Sequence, residues 1–473
     1  MYKKNLFLFP KFFAMLKQFI FSVSCFLLIM TSVSCVSGQQ NKFTKFENSK
    51  VYPSVACSAD TNTTYALFLP PQYEKSKPCP VLIIFDPSGS GLLPVNLFYA
   101  EAAKSGFIIA GSNNSRNGMA FEQTNAIYHK ILADITTRFN IEKKAVYLGG
   151  FSGGSRVAAS IAITEGGIAG IVGCSAGLPD IKQNPVGPFS YLAVTGTQDF
   201  NYNEMQQLDE SLESAKYQHH LLVFDGKHQW PPKEMIPDIF TWLRFDAMRQ
   251  KAIPTDRAEI NLFIEKNDKI AESLTGKGQL QERQAMFIKM LHYLQGLTDV
   301  APLQAEITKL STEKEIIAYN NQQKDLFYLE QQLQQKYFPE LQLKNVDWWT
   351  SETEQLQAMT KNPRKPDLNH VYQRLLAFLS MNCYMYSNHA FKDGNMESAA
   401  RFIEIYRLVD PTNAEHRYMA AKVAAINQNP DACFIALNQA FDLGFKDINR
   451  LKADADFKPY REDARFKSLL NRK

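Results

Sequence analysis

Ser152 is the side chain best placed in this sequence to act as a nucleophile. It stands in Leu148-Gly149-Gly150-Phe151-Ser152-Gly153-Gly154-Ser155-Arg156, with a glycine two positions away on either side. An apolar run, Val146-Tyr147-Leu148, leads into it, and Val157-Ala158-Ala159-Ser160-Ile161-Ala162 follows. Strand, sharp turn and helix in that order are the setting of a Gly-x-Ser-x-Gly nucleophile elbow. Such a turn pushes a hydroxyl into a cleft, and side chains at Gly150 and Gly154 would collide in it. A helix starting just after Ser152 adds partial positive charge where an oxyanion develops. Glycine-rich strand-to-helix turns also occur in nucleotide-binding folds, so the serine's partners must decide.

Two polar residues follow later strand ends. Asp199 closes Gly196-Thr197-Gln198-Asp199, after an apolar run at 190–195. His228 stands in Asp225-Gly226-Lys227-His228-Gln229-Trp230, after the run 221–224. Both fall on the sheet edge where Ser152 is expected. The rivals fit less well. His219 and His220 lead into a strand, His129 precedes the serine on a helix, Asp225 suits a turn cap, and Asp209 falls on a helix. Asn113-Asn114-Ser115-Arg116-Asn117 follows another strand end. Asn114 and Arg116 are therefore either substrate contacts or parts of an Asx-rich turn. Trp230 either lines the leaving-group side or packs.

The positioning elements follow from apolar runs and periodicity. Strands are expected at 64–69, 80–85, 106–111, 145–148, 170–175, 190–195 and 221–224, with helices at 98–105, 123–139 and 237–244. Strands alternating with helices imply an α/β fold with a doubly wound, mostly parallel sheet. Sites in such sheets lie at the carboxyl ends of the strands.

Ser, Asp and His in that chain order, each after a strand, resemble the α/β-hydrolase family over about 64–245, and its exported esterases most. The resemblance implies that Ser152 attacks an acyl carbonyl, His228 shuttles its proton, and Asp199 holds the imidazole. It also implies an oxyanion hole from the N–H of Gly153 and one N–H after the 80–85 strand. Here the chain departs from the family's His-Gly-Gly-Gly pattern, with Asp86-Pro87-Ser88-Gly89 instead. Proline has no N–H, which leaves Ser88 or Gly89. The implied activity is an exported serine hydrolase cleaving a carboxylic ester through an acyl-enzyme. A serine peptidase of the same fold, or a surface binding protein without turnover, are the alternatives. Only about 176–189 separates two late strands, too little for a large apolar lid. A small-molecule or polymer ester then fits better than a long-chain lipid. No cofactor is expected.

The remaining chain sets the context. The first 38 residues combine early lysines, the apolar run Phe19-Ile20-Phe21-Ser22-Val23-Ser24-Cys25-Phe26-Leu27-Leu28-Ile29-Met30 and then small residues, the pattern of an export signal. Ser32-Val33-Ser34-Cys35 resembles a lipobox with Cys35 lipidated; ordinary cleavage after Gly38 is the alternative. Membrane contact is then expected through a lipid anchor only, in the periplasm or cell envelope. Charged residues make up 21% and the net charge is only +4, which gives no basic face for nucleic acid. The seven cysteines show no metal-type spacing, so no metal is expected. Cys57 and Cys79 either form a disulfide or stay buried as thiols. The hydrolase-like domain is expected at 39–250, a helical region at 251–385, and helical repeats at 386–473. Gly394-Asn395-Met396-Glu397-Ser398-Ala399-Ala400 recurs 34 residues on at Gln428-Asn429-Pro430-Asp431-Ala432-Cys433-Phe434, the tetratricopeptide period. Such an array either binds a protein partner or packs on the hydrolase part and shapes its cleft.

Overall fold

The computed structural model describes residues 45–179, 185–274, 276 and 279–472. The expected export signal with Cys35, and 180–184 of the short connection, lie outside these residues. Eight strands form one sheet: β1 (Val51–Cys57), β2 (Asp60–Phe68), β3 (Cys79–Phe85), β4 (Ile108–Ser112), β5 (Ile141–Phe151), β6 (Gly170–Cys174), β7 (Ser190–Gly196) and β8 (His219–Phe224). Their order is β1-β2-β4-β3-β5-β6-β7-β8. β2 runs antiparallel to both neighbours, and from β4 to β8 all pairs are parallel. Helices α1 (Leu92–Ser105), α2 (Phe121–Arg138), α3 (Gly153–Thr164), α4 (Tyr202–Ser214) and α5 (Ile236–Arg249) cover it. The fold is the α/β-hydrolase fold, followed by a helix-rich region.

Burial explains the pattern. Every residue of β3 is buried, as an uninterrupted apolar run needs when helices cover both faces of a sheet. Along β5, Tyr147 faces one layer while Val146 and Leu148 face the other. One layer holds α1 and α5, with Val95, Phe98, Phe240 and Trp242. The other holds α2, α3 and α4, where Ile127, Ile131 and Ile135 recur every fourth residue on the buried side.

Two strands differ from expectation. β1 carries Pro53, which argues against a strand, but an edge strand tolerates it, and the register slips between Tyr52 and Val55. β8 begins at His219 rather than after it, since His219 pairs with Tyr191. The five described cysteines, Cys57, Cys79, Cys174, Cys383 and Cys433, are buried free thiols, so Cys57 and Cys79 form no disulfide. Buried thiols of this kind behave as small apolar side chains.

Beyond α5 the chain is helical: α6 (Arg257–Ser273), α7 (Leu280–Leu294), α8 (Ala301–Ser311), α9 (Lys314–Leu343), α10 (Val346–Met359), α11 (Pro366–Lys392), α12 (Met396–Val409), α13 (Ala414–Ile426), α14 (Pro430–Asp442), α15 (Ile448–Ala453) and α16 (Ala464–Leu470). The first three share the α5 layer. Ile260, Phe263, Phe287, Met290 and Tyr293 pack with Trp242 and Phe245 in one core. Residues 46–473 accordingly form one compact unit. The 34-residue repeat has matching geometry at both copies. Gly394 and Gln428 have positive φ, and Asn395 and Asn429 cap α12 and α14 through their side chains. Among the described residues no helix is long and apolar enough to cross a membrane.

Candidate active site

β5 delivers Ser152 at its carboxyl end, and α3 begins one residue later. Ser152 has φ 52° and ψ −121°, a conformation that L-residues adopt only under constraint. The constraint is visible on both sides. The Ser152 N–H donates to the Cys174 carbonyl of β6 at 2.8 Å, and the Ser152 carbonyl accepts from Ser155 and Arg156 at 3.0 and 3.3 Å. A side chain at Gly150 would collide with the Gly154 backbone, and one at Gly154 with the Phe85 carbonyl. Only glycine permits that approach.

His228 Nε2 lies 3.0 Å from Ser152 Oγ, and His228 Nδ1 lies 2.9 Å from Asp199 Oδ1. The imidazole sits between Phe200 and Phe151, with ring centroids 4.2 and 4.8 Å away. Asp199 is fully buried and its Oδ1 also accepts the Asn201 N–H at 2.9 Å. A proton on Nδ1 directed at a fixed carboxylate leaves the Nε2 lone pair facing the serine hydroxyl. The two loops are joined to each other. Thr197 N–H donates to Phe224 O, Gln198 N–H to Gly226 O, and Thr197 Oγ1 to Asp225 Oδ1 at 3.1 Å. Asp225, the rival acid, is thus a tie between loops. Asp209, the other, lies near the start of β8 and away from Ser152.

Other site expectations need correction. The Ser88 N–H is committed to Asp86 Oδ1 at 2.9 Å, and the Gly89 N–H to Asp86 O at 3.0 Å. Neither is offered to an oxyanion, because the buried Asp86 folds its loop around its own carboxylate. Gly153 does stand at the N-terminus of α3, where the first N–H groups have no intrahelical partner. Asn114 serves β2 instead of the cleft: its Oδ1 accepts from Thr64 N–H at 2.7 Å and its Nδ2 donates to Asn62 O at 3.0 Å. Trp230 is a strut, donating Nε1–H to Asp86 Oδ2 at 3.1 Å and packing on Phe151 and Phe98. Arg116 is exposed on the turn whose next residue matters more.

That residue is Asn117. Its carboxamide lies against the α-carbon of Gly153, close enough that any side chain at Gly153 would strike it. Its own N–H donates to Pro87 O at 2.9 Å, which ties the 113–117 turn to the Asp86 loop. Arg374, on α11, is the second residue that sequence reasoning passed over. Its Nη1 donates to Thr197 O at 2.7 Å, and its Nε and Nη2 pair with Glu330 Oε2 of α9 at 2.8 and 2.7 Å. Burial pushes the Glu330 carboxyl upward, against the pull of Arg374. A lone arginine in a helical region carries no motif. The asparagine was one of several in a turn, with nothing to single it out.

No family model and no curated protein matches the chain. Similar solved structures include the S-formylglutathione hydrolase of Staphylococcus aureus, 16% identical, covering 42% of this chain and 98% of that one, with a TM-score of 0.36. An esterase of Pyrobaculum calidifontis is 12% identical, covers 42% and 86%, and scores 0.34. The feruloyl esterase module of Clostridium thermocellum is 13% identical, covers 41% and 85%, and scores 0.33. What the site can do follows from its own geometry.

Proposed function

We propose that this protein is a serine hydrolase that cleaves a carboxylic ester through an acyl-enzyme on Ser152. The observation that carries this reading is the unbroken chain from Ser152 Oγ through His228 to Asp199, mounted on a strained elbow. Ser152 Oγ attacks the ester carbonyl as His228 Nε2 takes its proton. The tetrahedral oxyanion forms beside the Gly153 N–H, at the positive end of α3. The alcohol leaves with the proton from His228. Water, deprotonated by His228, then attacks the acyl carbonyl, and the acid departs as Ser152 recovers its proton. Asp199 stays ionised and holds the imidazolium.

The short connection between β6 and β7 supports a small-molecule or polymer ester. Beside the catalytic loops a cleft of about 360 Å³ is lined by polar side chains such as Gln198, Lys227, Gln357 and Gln373 and by apolar ones such as Leu376 and Val409, from both regions. We take the helical array, with its tetratricopeptide-like period, to shape this approach for the polar part of the substrate. Export, with Cys35 as lipid anchor, completes the proposal.

Fluorophosphonate labelling of the purified protein tests it, with Ser152→Ala alongside and short-chain p-nitrophenyl esters as substrates. Labelling and turnover that both vanish in the variant are the expected result. A well-folded wild-type protein that neither labels nor turns over would make the elbow architectural.

A further inference from the structure

A second cluster of chemistry-bearing side chains lies at the other end of β8. His219 opens that strand, Asp209 and Glu213 lie one turn apart on α4, and His292 lies in the last turn of α7. The five residues 220–224 of β8 put about 16 Å of extended chain between this cluster and the catalytic histidine's loop.

The distances resemble a coordination shell. His219 Nε2 is 3.3 Å from Asp209 Oδ1 and 3.7 Å from Glu213 Oε2. His292 Nε2 is also 3.7 Å from Glu213 Oε2. Ligand atoms of Glu213, His219 and His292 all fall within 4.8 Å of one another. Four nitrogen and oxygen ligands held tetrahedrally at about 2.0–2.1 Å from zinc stand about 3.3–3.4 Å apart. Three of the spacings, 3.3, 3.7 and 3.7 Å, lie within a few tenths of an ångström of that value.

Two of these atoms are left without a hydrogen bond despite burial. His219, 3% exposed, has no partner for Nε2, and Asp209 has none for Oδ1, although the two face each other. The tautomer explains why. His219 Nδ1 lies 2.9 Å from the Tyr217 carbonyl, which can only accept, so the proton is on Nδ1 and Nε2 presents a lone pair. A lone pair aimed at two carboxylates repels them unless a proton or a metal cation lies between. His292 is also held through its Nδ1, by a second imidazole rather than a carbonyl. Its Nδ1 is 3.1 Å from His220 Nδ1, and a proton there, donated to His220, frees Nε2 as a ligand. Histidine ligands ordinarily have their second nitrogen fixed by such a bond.

We propose that His219, His292 and Glu213 bind one divalent cation of the zinc type, with Asp209 facing it beside His219. Two imidazoles and a carboxylate, with water in the fourth position, suit zinc better than calcium or magnesium, which prefer all-oxygen shells. Glu213, with its side chain 70% exposed, gives the solvent side and the entry path. The ion joins α4 and β8 of the sheet region to α7 of the helical region. Its role is therefore to fasten the two, and it takes no part in the chemistry at Ser152. The proposal stands independently of the hydrolase reading.

The test is titration of chelator-treated, dialysed protein with Zn²⁺ and Co²⁺, together with Glu213→Gln and His292→Asn. Glu213 is exposed, so its variant folds without difficulty. We expect one ion per chain, the intense visible bands of tetrahedral Co²⁺, and a melting temperature raised by Zn²⁺ but not by Mg²⁺. Affinity should fall about tenfold or more in either variant. Fluorophosphonate labelling of Ser152 should not change on metal loading. Absence of stoichiometric binding, or binding that both variants leave intact, would overturn the assignment.

Discussion

In the proposed reaction, attack by Ser152 leaves a negative oxygen beside the Gly153 N–H, at the start of α3. The usual second donor, from the loop after β3, is spent: Asp86 holds the N–H of Ser88 and of Gly89. The Asn117 carboxamide lies against Gly153 with its oxygen nearest, so as a donor it must turn its Nδ2 group inward. Removing one oxyanion donor lowers kcat by about 10²–10³-fold in sites of this kind. Asn117→Ala is therefore expected to lower kcat by about 10²-fold with KM little changed, measured on a short-chain ester. Equal loss in kcat/KM with an unaltered kcat would place Asn117 in substrate binding instead. Ser152, Asp199 and His228 were all readable in the sequence, because each follows a strand end and the strand ends converge. Asn117 was not. Its neighbour Asn114, of the same type and in the same turn, spends both ends of its amide on β2, and only three-dimensional contact tells the two apart.

Loops that carry catalytic residues hold their geometry only when their backbone groups are bound. The Asp199 loop is bound from below by β8's loop and from the side by Arg374, which reaches Thr197 O while paired with Glu330. Arg374 also lies over the Tyr202 ring, 4.5 Å from its centroid. Replacing one member of a buried pair strands the other charge, at a cost of about 3–5 kcal/mol. Arg374→Leu should show that loss in urea denaturation, and kcat should fall as the Asp199 loop loosens. Adding Glu330→Gln should recover part of the stability but not the lost bond to Thr197, so kcat should stay low. Full recovery of both would mean that the arginine acts only through Glu330. At this scale the sequence was informative wherever a run was apolar or periodic: β3, β6, β7 and α2 follow directly from theirs. It was silent on β1, whose Pro53 hides an edge strand, and on the polar start of β8, whose His220 meets His292 of α7, 72 residues away.

Two features act on the molecule as a whole. Asp134 pins α2 to β1 and β2: it accepts from Ser58 N–H and Oγ–H, from Tyr65 O–H and from Arg138 Nε–H. Burial alone would raise its pKa, but the bonds from Arg138, Ser58 and Tyr65 outweigh burial and lower it. A carboxyl depressed in the folded state stabilises it above the ordinary value of about 4, and that stability is lost as pH falls through the folded value. Asp134→Asn should therefore cost about 1–3 kcal/mol at pH 7. The gap between variant and wild type should close below about pH 4, followed by urea denaturation across pH. The second feature is the core that α5 shares with α6, α7 and α8. Phe263 stacks on Tyr293 at 5.3 Å, and Tyr293 meets Trp242 edge-on at 5.2 Å, so apolar side chains from both sides of residue 250 fill one layer. Each large side chain buried there contributes about 1.5–3 kcal/mol. A chain ended at 250 would expose Trp242, Phe245 and Met248 to water and forfeit several such terms. That truncation is expected to aggregate or to melt well below the full protein. The full protein should unfold its sheet together with α6–α8 in one calorimetric transition. A soluble 46–250 fragment with the full protein's melting temperature would instead make the helices an appendage, and the strong tie of the Asp199 loop to α11 would need another purpose.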